Sequence, residues 1–173
     1  MKDFFDIVKR RESCRKYNGK EVKKLELLKI MEAARLAPSA VNSQPWKFFV
    51  VTDREKRKLM TKYTQAFTEK AGGFIVLLQE KPNIMSKVGS VIKNQEYTQI
   101  DLGIVTAHIC LAATQLGLET CIMGWFNEKK VKELLQIPGG KRVRLVISVG
   151  HSDFTSPRPK KRKDMDEIVS FIE

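Results

Sequence analysis

The sequence predicts an α+β or three-layer α/β fold, with several helices around a small mixed sheet. Three observations predict it. Two short apolar runs, residues 74–78 (FIVLL) and 143–149 (VRLVISV), have the length and character of strands covered on both faces. Residues 96–116 place apolar residues nearly all round a long helix, which must therefore be covered on most sides. Shorter segments with apolar residues at helical spacing lie between these elements.

The elements follow in order. Phe4, Ile7 and Val8 share a helical face, so residues 3–11 read as a short helix whose basic end suits the helix dipole. Leu25, Leu27, Leu28, Met31 and Ala34 give a second helix over 24–37, closed by Pro38. A loop of small and amide residues leads through Pro45-Trp46 into a β-type run at 47–52. Thr52 with Glu55 three residues on reads as a capping box for a helix over 53–66. Gly72-Gly73 break it ahead of the 74–78 strand, and 81–94 reads as a weak helix or lid. Gly117 ends the long helix, 120–123 is a short strand, and Asn127 caps a helix over 128–136. Within the long helix, Gly103 and Ala107 stand at i, i+4 and permit close approach, so a subunit interface is expected there. Ile168, Val169, Phe171 and Ile172 make a tail too apolar for a free terminus.

Composition narrows the classes. A chain of 173 residues with 42% hydrophobic and 30% charged residues can bury one core, which excludes disordered and low-complexity classes. No run approaches the roughly 18 apolar residues of a membrane span, and Met1-Lys2-Asp3-Phe4 has no signal-peptide character, so a cytoplasmic location is expected. Three cysteines without CxxC spacing signal neither a disulfide framework nor a zinc site. Two histidines, His108 and His151, cannot build a metal site alone. The net charge of +12 suggests an anionic ligand, whether nucleic acid, headgroups or a phosphorylated cofactor. Neither GxGxxG nor GxxxxGK[ST] is present, which argues against Rossmann and P-loop nucleotide sites. No acid–base constellation stands out, so an enzyme of this sequence would rely on a bound cofactor for its chemistry.

Three segments carry candidate chemistry. In residues 11–17 (RESCRKY), two guanidinium groups flank a hydroxyl and can hold a phosphate; a plain basic helix end is the other reading. Residues 38–46 (PSAVNSQPW) are dense in amides and hydroxyls that can read a planar heterocycle, or simply form a turn. Residues 157–163 (PRPKKRK) suit an anion or a solvated linker.

Together these segments resemble the nitroreductase family of FMN-dependent NAD(P)H oxidoreductases. RESCRKY is similar to the family's R-x-S-x-R-x-[FY] motif, and PSAVNSQPWKFFVV to its P-S-x-x-N-x-Q-P-W segment. LGLETCIMGWF is similar to the G-L-G-T-x-x-x-G stretch, and RPKKRK to the C-terminal basic motif. The resemblance implies a single FMN-binding domain over residues 1–173, built as a three-layer α/β/α with the long helix at a homodimer interface. Residues 151–173 would form a C-terminal extension packing on the partner subunit. It implies FMN, reduced by NADH or NADPH through hydride transfer to N5, then passing two electrons in ping-pong fashion to a small acceptor such as a nitroaromatic or quinone. Arg11, Ser13 and Arg15 match positions that grip the phosphate, the ribityl chain and the N1–C2=O edge. Lys160 and Arg162 match a phosphate-binding pair. Pro38, Ser39, Asn42 and Gln44 match the loop that reaches flavin partly from the partner. Ile122, Met123 and Gly124 match the segment whose backbone lies by N5. The resemblance assigns no catalytic side chain and no metal, and neither nucleic acid nor membrane is an expected partner. Two alternatives stay open: a basic nucleic-acid-binding module, and an FMN-binding relative with different reductive chemistry. The 81–94 segment is shorter than the pocket-covering excursion of larger members, and Glu12 and Met123 depart from many relatives.

Overall fold

The computed structural model describes residues 3–173. In chain order the elements are α1 (Phe4–Arg10), α2 (Lys24–Arg35), a 3-10 turn (Ala40–Asn42), β1 (Trp46–Val51), α3 (Arg54–Tyr63), a second 3-10 turn (Ala66–Thr68) and β2 (Gly73–Gln79). They continue with α4 (Ile84–Lys93), α5 (Tyr97–Gln115), β3 (Glu119–Met123), α6 (Glu128–Leu135), β4 (Arg142–Gly150) and α7 (Met165–Ile168).

The strands form one sheet in the order β1–β2–β4–β3. Alternation along β2 decides what each face carries. Ile75 and Leu77 point to a core shared with Ile30 and Ala34 of α2 and Val105 and Ile109 of α5. Phe74, Val76 and Leu78 point the other way, to a core shared with Met60 of α3 and Val131 of α6. Helices therefore cover both faces, which makes the architecture an α+β, three-layer α/β/α one and explains the unbroken apolarity of β2.

The expected mixed sheet is corrected: every pairing among the four strands is antiparallel. Continuous apolarity reports coverage of both faces and is silent on strand direction. Among the described residues, the parallel link is an isolated bridge between Ser13 and Thr120. The expected Thr52 cap is also displaced by one residue. The Asp53 carboxyl accepts the Lys56 N–H at 2.8 Å, and the Thr52 carbonyl accepts from Arg57 Nε instead. Asn127 caps α6 as expected, accepting the Lys130 N–H at 3.1 Å, and Gly117, at φ +77°, ends α5 in the left-handed conformation a glycine adopts without strain. Among the described residues, no helix is long and apolar enough to cross a membrane.

Apolar surface is exposed in three places, on α5, on the C-terminal tail and on α4. On α5, Ile100, Gly103 and Ala107 are exposed and Ile104, His108 and Leu111 half-buried, a stripe at helical spacing opposite the buried face. Met165, Ile168, Phe171 and Ile172 of the C-terminal tail are exposed as well. The 81–94 segment is mostly a regular helix, α4, whose Ile84, Met85, Val91 and Ile92 face outward.

Candidate functional site

The first half of the site is built where both ends of the chain cross β3. After α1, residues 12–18 run extended along that edge strand: the Cys14 N–H donates to the Thr120 carbonyl at 2.9 Å, and the Asn18 N–H to that of His151 at 2.9 Å. The C-terminal segment returns to the same place. Arg158 donates from its backbone N–H and its Nε to the two Glu12 carboxylate oxygens, at 2.9 and 3.0 Å, and from its guanidinium to the Ser13 carbonyl at 2.9 Å. The Lys160 ammonium donates to the carbonyls of Val8, Lys9 and Arg11, the last at 2.7 Å, closing the C-terminal end of α1.

These contacts gather cations. Partial burial, then the neighbouring Arg11 and Arg162 guanidiniums, push the Lys160 ammonium below its ordinary pKa, against a smaller opposing pull from Glu12. The Cys121 thiol of β3 feels the same charges. Burial pushes it up, while Arg15, a hydrogen bond from Ser13, Arg11 and Arg158 pull it back. Five basic side chains thus act in one region, where two carboxylates are already engaged, Glu12 by Arg158 and Glu119 by Arg10. A phosphate dianion would neutralise such a gathering of cations, so the residues present fit the phosphate end of a phosphorylated cofactor.

Beside this cluster β3 ends. Ile122 is exposed, whereas the Met123 side chain is buried against the α3–α6 face, leaving its backbone at the strand end. Gly124 follows in the open: a Cβ there would meet only Leu145 Cδ2, at 4.0 Å. A flat ring can approach such a backbone closely. The next carbonyl, that of Trp125, is pinned by Gln65 Nε2 at 3.1 Å.

The second half is the loop ahead of β1. Val41, Asn42 and Gln44 all adopt left-handed backbone, with φ of 46°, 50° and 46°. For non-glycine residues that costs roughly 1–2 kcal/mol each. The anchors that hold it are explicit. Ser39 Oγ accepts the Gln44 N–H at 2.9 Å, Ser43 Oγ the Asn83 N–H at 2.8 Å, and Asn83 Nδ2 donates to the Val41 carbonyl at 3.2 Å. Gln44 Nε2 donates to Asn42 Oδ1 at 3.0 Å, and the Asp101 carboxyl of α5 accepts the Ala40 N–H at 2.9 Å. Pro38, Asn42 and Gln44 are exposed and Ser39 half-buried.

The structure brings together Arg11, Ser13, Arg15, Lys160 and Arg162, all acting near β3. It does not bring the 38–44 loop to them within one chain. The loop meets α5 at Asp101, whereas Arg11 acts on Cys110 of the same helix. Nine residues at 1.5 Å rise separate those points by about 13 Å. Sequence reasoning missed Arg158, Asn83 and Asp101. Arg158 was hidden in a run of interchangeable cations. Asp101 had a signal: it is the lone acid in an otherwise apolar helix.

Comparisons with known proteins bear on this geometry. The profile described as "Nitroreductase family" matches residues 8–151. A protein of Archaeoglobus fulgidus named "Putative NADH dehydrogenase/NAD(P)H nitroreductase" is 32% identical over 174 residues, spanning 96% of this chain and 91% of that protein. The crystal structure of a nitroreductase family protein from Streptococcus pneumoniae TIGR4 superposes with TM-score 0.81 at 28% identity, covering 98% of this chain and all (100%) of the other. An FMN-dependent nitroreductase from Clostridium difficile R20291 superposes with TM-score 0.74 at 31% identity, covering 96% and 98%.

Proposed function

Because the chain belongs to the nitroreductase family, we propose that it is an FMN-dependent NAD(P)H oxidoreductase acting as a homodimer, with each of two sites shared between subunits. The convergence of residues 11–15 and 158–162, nearly 150 positions apart in sequence, on one cluster rich in cations is the observation that carries this reading. FMN, when bound, would supply the redox chemistry, a two-electron transfer between NADH or NADPH and a small acceptor such as a nitroaromatic or quinone.

The chain's own residues bind and orient. Arg11 and Arg162 neutralise the phosphate, while Lys160 adds its charge from its seat on the end of α1. Ser13 meets the ribityl chain. Arg15 stands at the N1–C2=O edge, where a cation favours the reduced, negatively charged ring. The backbone around Ile122, Met123 and Gly124 offers an N–H at N5, and the open space at Gly124 leaves one ring face free for nicotinamide and acceptor in turn.

The shared site follows from α5. Its exposed apolar stripe is the surface for a second copy. Two copies crossing antiparallel about Gly103 and Ala107 set position 101 of one opposite position 109 of the other. That carries Pro38, Ser39, Asn42 and Gln44 of one subunit to the cations of its neighbour, closing the 13 Å gap estimated from helix rise. The exposed tail of residues 165–172 packs over the neighbour in the same assembly. A cytoplasmic location belongs to the same reading, in keeping with three free cysteines.

The test is spectroscopic. The purified protein should be yellow, release FMN on denaturation, and bleach in anaerobic titration with NADH or NADPH. Nitroaromatic or quinone should then restore the colour. A colourless protein that FMN cannot reconstitute removes the proposal, and bleaching without reoxidation by either acceptor class would point to different reductive chemistry.

A further inference from the structure

Resting on that reading, we propose that Asp101 is the positioning residue for the flavin-facing loop: by holding the Ala40 N–H it sets the left-handed backbone that presents Asn42 and Gln44 to the cofactor.

Asp101 is 2% exposed and is the lone acidic residue of α5. One oxygen accepts the Ala40 N–H at 2.9 Å. The other, Oδ2, is buried with no hydrogen-bond partner among the described residues. A buried carboxyl with one oxygen unmatched is unfavourable, and leucine or alanine, both already common on this helix, would pack there at lower cost. Core packing therefore does not account for it, whereas the loop does. Of the groups that hold the three left-handed residues, the Asn83 pair and the Ser39–Gln44 bond lie at exposed positions, open to competition from water. The Asp101 contact is the one made from a buried side chain. It is also the contact made by α5, so it fixes the loop in register with the helix whose opposite face meets the second copy. A backbone as strained as this persists where rigid neighbours over-determine it.

The experiment compares wild type, Asp101→Asn and Asp101→Ala by amide hydrogen exchange, first with flavin removed and then with FMN restored, alongside FMN affinity and thermal unfolding. Asparagine can present an acceptor oxygen to Ala40 in the same place, so Asp101→Asn should keep exchange at residues 40–44 within about threefold of wild type. Asp101→Ala removes the acceptor and should raise exchange of the Ala40 amide and its loop by about tenfold or more, weakening FMN binding by a similar factor. Asp101→Ser, a shorter acceptor, replaces the alanine variant if that one does not fold, and should fall between the two. Unchanged protection of residues 40–44 in folded Asp101→Ala or Asp101→Ser overturns the proposal. So does an Asp101→Asn protein as unprotected as the alanine variant. Exchange in the flavin-free protein reads the loop directly. A wild type that binds no FMN would sink the flavoenzyme reading and leave this measurement intact.

Discussion

If each site is shared, two differently damaged chains should repair each other. One chain carries Arg11→Ala with Arg162→Ala, which empties the cationic half; the other carries Asn42→Ala with Gln44→Ala, which strips the loop half. A charge-assisted hydrogen bond to a phosphate contributes about 1.5–3 kcal/mol. Losing two therefore weakens FMN binding by about 10²–10⁴-fold if the terms add. Neutral loop contacts contribute about 0.5–1.5 kcal/mol each, so that homodimer loses about 5–100-fold. On subunit exchange at equal amounts, about half the dimers are mixed, and in each of these one site combines intact cations with an intact loop. About one quarter of all sites should then regain wild-type character.

The assay measures FMN retained after gel filtration and NAD(P)H-driven reduction, before and after exchange, at FMN concentrations below the parents' dissociation constants. Within a single chain the two halves are separated by nine residues of α5, from Asp101 to Cys110. A site made inside one subunit therefore has no means of recovery. A mixture of demonstrated mixed dimers no better than the average of its parents would refute the shared site. It would also remove the antiparallel crossing about Gly103 and Ala107.

Three other outcomes follow. Ala107→Glu puts a charge in the middle of the exposed α5 stripe; sedimentation should show the mass halved, with FMN lost in parallel, while the far-ultraviolet spectrum stays as in wild type. Tyr17→Phe removes a buried hydroxyl that lies 2.8 Å from Ser148 Oγ and whose pKa burial raises. It should lower stability by about 1–2 kcal/mol and the melting temperature by about 2–8 °C, and an unchanged melting point contradicts the bond. Glu128 titrates below the ordinary glutamate value. Burial alone would raise it, but the Val143 N–H at 2.9 Å and Arg142 Nε at 3.0 Å outweigh that effect. Its folded-state pKa is depressed, so its contribution is present above the unfolded value of 4.5 and is lost as pH falls through the folded one. Glu128→Gln should flatten the loss of stability below about pH 5 in acid titrations, and an unaltered acid limb would count against the assignment.

The layers were legible in the sequence because periodicity reports coverage. Residues 74–78 and the 96–116 stretch lie in β2 and α5 much as read, and Asn127 and Gly117 mark helix boundaries at the expected places. Strand direction was not legible, since β2 is apolar under helices whichever way its neighbours run. The cap at Asp53 in place of Thr52 shows a local competition between two good cap residues that spacing alone does not decide. At the site, motif residues located the cations but not their duties. Arg158, not singled out in the sequence, bridges Glu12 and Ser13, while Lys160 seats on α1 carbonyls. Those duties depend on a contact between chain ends, and a linear pattern carries no information about which cation in a run arrives first. Asp101 shows the opposite case: a residue out of character with its helix was visible, but its partner, the Ala40 N–H, is a backbone group common to every sequence.

On the proposed reading, one event would answer four features that a lone subunit leaves unexplained. The cations at β3 gather beside two carboxylates, Glu12 and Glu119, that already have partners. The loop strains three residues to present amides to solvent. α5 keeps Ile100, Gly103 and Ala107 in water, and the tail does the same with Phe171 and Ile172. Each is unfavourable alone. On that reading, a flavin phosphate would relieve the first, a ring edge would give the second a purpose, and a neighbouring subunit would cover the third and fourth. Because loop and cations lie on opposite stretches of α5, neither ligand nor partner can satisfy its share without the other. On the same reading, flavin binding and subunit association are linked: association would raise flavin affinity by the same factor by which bound flavin tightens association. Asp101 stands at that proposed junction, on the helix that would bind the neighbour and under the loop that would reach into the neighbour's site.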